Sequence, residues 1–174
     1  MDGTRTGIPA MERFTPGPDT ARAFRDALGR FATGVTVVTA LTDEGPVGIT
    51  ANSFASVSLD PPLVLWSPAR ASSRFPVFAA AEHFAIHVMG REHRDLAAHF
   101  VRHGRDFSGI ATEPGPGDVP LLADCLARFA CRTEARHDAG DHLIVVGRVL
   151  EAASRDGAPL VFCHGGYGQF LHGH

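Results

Sequence analysis

The chain has 174 residues, enough for one domain that buries roughly 70% of its unfolded surface without disulfides or a structural metal. Its 16 Lys and Arg against 19 Asp and Glu leave a net charge of −3 with no basic block, which argues against nucleic acid and anionic membranes as partners. No apolar run approaches the roughly 18 residues of a membrane span, and the N-terminus carries no signal-peptide core. Cys125, Cys131 and Cys163 form no CxxC and read as packed thiols in a reducing cytoplasm.

Residues 1–18, rich in Gly, Thr and Pro without periodicity, are expected to form a flexible arm ahead of a domain over 19–171. Asp19 is placed to cap a helix in which Phe24, Leu28 and Phe31 share one face, with Gly29 near its end. "GVTVVTAL" (34–41) reads as a strand, "TDEGP" as a turn and "VGITA" as the returning partner. The stretch "GITANSFASVSLDPPLVLWS" (48–67) then separates two strands by a polar run longer than a hairpin needs: Thr50, Asn52, Ser53, Ser56 and Ser58. Pro61-Pro62 follow, then a buried strand, "LVLWS" (63–67).

"SSRFPVFAAA" (72–81) predicts a short helix with Ser72 or Ser73 as N-cap and Pro76 in its first turn. "HFAIHVM" (83–89) alternates as a strand that turns Phe84, Ile86 and Val88 inward. Residues 92–103 put Leu96, Phe100 and His103 on one helical face ending at Gly104, and 109–120 reads as a Gly/Pro loop. "LARFACRTEAR" and "HLIVVGRVLEA" form a long hairpin around "HDAGD", and a last strand or turn occupies 160–171. Many antiparallel strands with few helices predict a mainly β fold, a barrel or a sandwich.

Two neighbouring segments carry the chemistry. "SPARASSR" (67–74) joins a strand to a helix start, where unpaired N–H groups flanked by Arg70 and Arg74 make an anion cradle. Thr50, Asn52 and Ser53 offer donors and acceptors to the edge of a flat polar ring, and the pair of features points to a nucleotide-like cofactor. "HGGYGQ" (164–169) is neither a P-loop nor a dinucleotide fingerprint, and no G-x-S-x-G is present.

No metal site is assigned. His83 and His87 on one strand stand about 13 Å apart, and Asp95, His99 and His103 share a helical face with no further ligand evident nearby. His172 and His174 read as solvated. Asp141-His142, at the mouth of the long hairpin, is an acid–imidazole pair or equally a turn residue beside an exposed histidine; strand alternation points the two side chains to opposite faces. Trp66, Phe84 and Phe129 read as core.

In order, "FATGVTVVTA", "GITANSFASVSLDPPLVL", "SPARASSRF", "FAIHVM", "GDHLIVVGRVLE" and "PLVFCHGGYG" resemble the flavin reductase-like family over about residues 20–170. These are short-chain NAD(P)H:flavin oxidoreductases that serve two-component monooxygenases. The resemblance implies a split β-barrel homodimer with FMN or FAD in a groove near the interface, NADH or NADPH as co-substrate, and reduced flavin released to an oxygenase.

It places Gly48, Ile49, Thr50, Asn52 and Ser53 along the isoalloxazine and ribityl edge, and Ser67, Arg70, Ser72, Ser73 and Arg74 around the ribityl phosphate. His142, as a positioning group for hydride transfer, and Tyr167 fall on the nicotinamide side. Cys163-His164 depart from the His and Arg common in relatives, and Arg70 stands where Lys is common. The alternatives are a flavoprotein that keeps FMN as an electron carrier or oxidase, and a barrel that binds no flavin and acts as an interaction module.

Overall fold

In the computed structural model, which describes residues 10–171, the first helix is α1, Ala21–Leu28. Strands β1 (Thr33–Gly34), β2 (Thr36–Thr42), β3 (Gly45–Ala51), β4 (Ala55–Leu59) and β5 (Pro62–Trp66) follow, then α2 (Phe75–Ala80), β6 (His83–Val88) and α3 (Arg94–Arg102). The chain ends with β7 (Thr112–Pro114), β8 (Pro120–Leu122), β9 (Ala127–Ala139), β10 (His142–Ser154), β11 (Leu160–Cys163) and β12 (Gly166–Gln169). Residues 1–9 of the expected arm, and His172 and His174, lie outside the described residues.

Seven strands form one antiparallel sheet in the order β3-β2-β6-β9-β10-β5-β4, and β1-β11-β12 form a smaller one. The expected mainly β architecture with few short helices is what the chain adopts. The long hairpin is a pair of 13-residue strands, with register shifts at Val146/Gly147 and Val149/Glu151 that bend it and increase its twist. Gly147 lies at the first shift, where a Cβ would stand 2.5 Å from the Phe84 ring.

β2 divides two packed layers. Val38 and Ala40 join Trp66, Phe78, Phe84, Ile86 and Val145 on one side, whereas Val37 joins Met89, Phe100, Leu122 and Leu160 on the other. Trp66 meets Phe78 edge-to-face at 5.1 Å. Both faces of β6 are therefore buried: Ala85 and His87 are as inaccessible as Phe84 and Ile86, while Val88 is only partly covered.

Several local expectations are corrected. Asp19 is not the cap of α1; it lies inside a 3-10 turn, Pro18–Thr20, because Pro18 with its fixed φ starts the turn early and Thr20 becomes the N-cap. α2 begins after Arg74, and Ser72 accepts the Arg74 N–H at 3.2 Å instead of capping the helix. His103 terminates α3 as its C-cap residue. The 109–120 loop contains β7, paired with β8 through Thr112 and Leu122.

His87 fastens β8 to the sheet. The Leu122 N–H must donate, so Nε2 of His87 accepts it at 3.0 Å, and Nδ1 carries the proton donated to the Val37 carbonyl at 3.0 Å. Thr39 adds a hydroxyl bond of 2.6 Å to the Pro120 carbonyl. Burial pulls the His87 pKa down to about 4 against a weaker opposing pull from the Val37 carbonyl, and the charge of Arg128 lowers it further.

The unfolded chain thus takes up a proton below about pH 6.5 that the folded protein refuses until about pH 4. His87 stabilises the fold above that window and the contribution is lost as pH falls through it, by about 2 kcal/mol between pH 7 and pH 5. Urea denaturation at both pH values checks this. The native protein should lose about 2 kcal/mol more than His87→Gln, which keeps a donor and an acceptor but cannot titrate; equal acid sensitivity would refute the assignment.

Candidate functional site

Three clusters of side chains lie around the strand end at residues 48–53. In the first, α3 is fastened along the free edge of β3. The Gly48 N–H donates to the Gly104 carbonyl at 2.7 Å, and the Thr50 hydroxyl donates to the Ala97 carbonyl at 2.6 Å. Arg74 donates to the carbonyls of Phe100 (2.6 Å) and Val101 (2.8 Å), and at 3.4 Å to that of Gly48. Partial burial lowers the Arg74 pKa from its usual value. Both glycines are required sterically: a Cβ on Gly48 would stand 2.5 Å from the Phe100 ring, and one on Gly104 2.6 Å from the Gly48 carbonyl. Ile49 points into the core.

The second cluster is a groove. Thr50, Asn52 and Tyr167 line a cavity of about 160 Å³ with Val35, Val101 and Phe162. Asn52 and Phe162 also line an adjoining cavity of about 570 Å³ walled by Leu28, Phe31, Thr33 and His164. Asn52 donates to the Thr33 hydroxyl at 3.3 Å, and Tyr167 packs edge-on against Phe162 at 5.8 Å with Arg94 over its ring. Apolar walls with hydroxyl and amide groups along one edge fit a flat heteroaromatic ring whose faces are apolar and whose rim is polar.

The third cluster lies beyond Ser53, whose hydroxyl accepts the Ser67 N–H at 2.9 Å. The segment after β5 then zips onto the tip of the β9–β10 hairpin. Ala69 bridges His142, the Leu143 N–H donates to the Pro68 carbonyl at 3.1 Å, and the Arg70 N–H donates to the Asp141 carbonyl at 2.8 Å. The Arg70 side chain donates to the Gly140 carbonyl at 3.2 Å, pairs with Asp138 and rests over Phe75. His142 Nδ1 meets the Asp141 carboxylate at 2.8 Å, so the two side chains pair despite strand alternation, and neutral His142 keeps an acceptor at Nε2. That bond is the main cause of the lowered Asp141 pKa.

The structure therefore gathers Thr50, Asn52 and Tyr167 in one group and Ser53, Ser67, Arg70 and His142 in another. Among the described residues no hydrogen bond or ring contact joins Tyr167 to His142. Sequence reading passed over Phe162, Val35 and Thr33 as groove walls. The signal for Phe162 was available, since it sits within the same "PLVFCHGGYG" stretch as Tyr167. His99 Nε2 bonds the Asp106 carbonyl at 2.7 Å, and no group of three metal-ligating side chains occurs among the described residues.

The family described as Flavin reductase like domain matches residues 28–171. The chain belongs to this family. It is 58% identical over 163 residues to the FMN reductase (NADH) SmoA of Agrobacterium fabrum, covering 94% of each chain. It is 45% identical over 148 residues to the reductase component of the flavin-dependent trigonelline monooxygenase of Acinetobacter baylyi, covering 84% of this chain and 48% of that one, about half the relative's length.

Among solved structures, the Streptomyces globisporus NADH:FAD oxidoreductase SgcE6 in complex with NAD and FAD fragments superposes with a TM-score of 0.83 at 32% identity. That superposition covers 91% of this chain and 98% of that one. The flavin reductase-like fold inferred from the ordered motifs is the fold of the chain.

Arg70 has a testable structural role in this site. Its ion pair is surface-exposed, so Arg70→Ala should cost under about 1 kcal/mol in urea denaturation. Amide hydrogen exchange over residues 139–143 should nevertheless accelerate roughly fivefold, as expected for local loss of a contact of that size. Unchanged exchange at the hairpin tip would show that the backbone zip alone suffices.

Proposed function

We propose that the protein is an NAD(P)H-dependent flavin reductase that hands reduced flavin to a separate oxygenase component. The observation that carries this reading is the groove at Asn52, apolar on its walls and polar along one rim. The high identity to an FMN reductase (NADH) supports FMN and NADH over FAD and NADPH. Relatives that are reductase components of monooxygenases support the oxygenase partner.

A bound flavin supplies the hydride-accepting ring. Toward it, Gly48 and Ile49 set the floor of the strand, and Thr50, Asn52 and Ser53 meet the ring and ribityl edge. Ser67, Arg70, Ser72, Ser73 and Arg74 shape the loop that receives the ribityl phosphate, the two arginines by gripping main-chain carbonyls. Tyr167 closes the groove on the side of the small sheet. His142 positions the nicotinamide through its free Nε2, oriented by Asp141. Hydride transfer demands alignment at about 3–3.5 Å rather than a proton donor, so an imidazole held at the hairpin tip suffices.

We further propose a homodimer in the cytoplasm, where the three thiols stay reduced. Phe24, Leu28 and Phe31 of the α1 region are 43%, 59% and 79% exposed, an apolar surface that a second copy would cover. No helix among the described residues is long and apolar enough to cross a membrane.

Oxidation of NADH and NADPH, followed with FMN, FAD and riboflavin in turn, tests the activity. A colourless preparation that turns over only with added flavin is expected; a stoichiometrically yellow protein without turnover would instead identify a permanent flavin carrier. His142→Ala should slow flavin reduction on the order of tenfold to a hundredfold and weaken NADH, leaving flavin affinity nearly unchanged. Light scattering should give twice the 18.5 kDa of one chain, and a stable monomer at micromolar concentration would refute the dimer.

A further inference from the structure

Tyr167 is the single tyrosine of the chain and one wall of the groove, yet its own strand does little to hold it. β12 is the edge of the small sheet and pairs with β11 alone. Gly166 and Gly168 flank the tyrosine, so no neighbouring side chain on the strand braces the ring, and a Cβ at Gly168 would meet nothing within 4 Å. The Tyr167 hydroxyl makes no hydrogen bond among the described residues. Packing against the layer that holds Met89 and Leu160, with an edge contact to Phe162 at 5.8 Å, backs the ring. Apolar contact of that kind is non-directional and leaves the ring free to slide.

A directional contact comes from outside the small sheet. Arg94 opens α3 directly after a 3-10 turn, Arg91–His93, and the two arginines grip β12 in different ways. Arg91 donates to the Gln169 side-chain oxygen at 3.2 Å, and the Arg94 guanidinium stands 5.9 Å from the Tyr167 ring centroid, within cation–π reach. The Arg94 side chain has no ion-pair or hydrogen-bond partner among the described residues, so its charge is left to the ring.

The turn that carries both cations is anchored. The Gly90 N–H donates to Nδ1 of the buried His93 at 2.9 Å. The Arg91 N–H donates to the Ala158 carbonyl at 2.9 Å, and the Leu160 N–H to the Met89 carbonyl at 3.0 Å. Arg155, just past β10, donates to Glu92 at 2.8 Å and to Asp124 at 2.7 Å. A loosely built edge strand is therefore gripped by two arginines on a pinned turn.

We infer that Arg94 is a positioning residue for the groove: its guanidinium fixes the Tyr167 ring at the wall of the cavity that Thr50 and Asn52 rim, with Arg91 securing the end of β12. Resting on the flavin reductase reading, the width so fixed is that of the flavin ring, and FMN and riboflavin depend on it alike.

Fluorotyrosine incorporated into the full chain reports on the ring directly, because one tyrosine gives one fluorine NMR signal. In the ligand-free protein the line should be narrow. It should broaden or split in Arg94→Met, as the ring samples several positions, and stay narrow in Arg94→Lys, which keeps a cation. Arg94 is exposed, so both variants should unfold in urea as the native protein does. Arg94→Met should weaken FMN and riboflavin equally, roughly threefold, and Arg94→Lys should recover most of that loss. Tyr167→Leu should weaken both flavins, and Arg94→Met added to it should cost nothing further, since the arginine acts through the ring. A narrow line in Arg94→Met, or unchanged flavin affinities, overturns the inference, as does an Arg94→Met loss that persists in full beside Tyr167→Leu. If the native protein binds neither FMN nor riboflavin, the flavin reading fails instead, and the fluorine line still decides whether Arg94 holds the ring.

Discussion

The guanidinium of Arg74 reaches from the start of α2 to the last carbonyls of α3 and on to Gly48 of β3. A helix end leaves its final carbonyls without intrahelical donors, and here no glycine-led cap supplies them. One planar cation with several donors meets that need and places positive charge at the negative end of the helix. Its grip dictates the neighbourhood: Gly48 lies flat against Phe100, and Gly104 lets the turn close over Arg74. With α3 clamped there, the free edge of β3 is covered, and Thr50 and Asn52 are carried to the rim of the groove.

A second constraint keeps the frame rigid beneath the groove. β2 and β6 run between two apolar layers, so polar groups on them must find partners inside the protein. His87 and Thr39 do so by bonding β8, which fixes the covering segment to the strands it shields. The same burial explains where sequence reading was incomplete. Alternation in "HFAIHVM" predicted one inward face, a reading that assumes water on the other. A second layer covers that other face, and a histidine that drew attention as a metal ligand is instead a neutral structural bracket.

Local patterns gave β2, β3, β5, β6, both long arms of the hairpin and the Thr50 and Asn52 part of the polar run that rims the groove, but not β4, where Ser56 and Ser58 belong to an edge strand paired with β5, nor β7. What they could not give were partners distant in sequence. Arg70 and Arg74 looked like free charge beside a helix start, yet both grip carbonyls, Gly140 for one and Phe100 with Val101 for the other. Nothing in "SPARASSR" shows that those carbonyls lack donors, because the lack arises at turns and helix ends elsewhere in the chain. The segment of Arg102 and Arg105 reads as an ordinary helix exit, and the Gly48–Gly104 contact together with the Arg74 bonds to Phe100 and Val101 brings it beside Ser73. Asp141 and His142 show the limit of alternation itself, since a residue at the turn is not bound by the pleat and its carboxylate swings back to the imidazole.

Strongly shifted titrating groups tend to mark catalytic sites that move protons. Among the described residues the strongly shifted groups are His87, lowered to about 4, and Cys131, raised to about 12, and burial in the core is the chief cause of both. Around the groove, the polar groups are instead hydroxyls and an amide, with the imidazole of His142 apart from them at the hairpin tip. Hydroxyls and an amide are poor at moving a proton near neutral pH and good at fixing where a ring edge lies. That division matches a reaction whose difficulty is alignment, with the reactivity residing in two small molecules and the protein providing a rigid edge, a gripped helix end and a held hairpin tip.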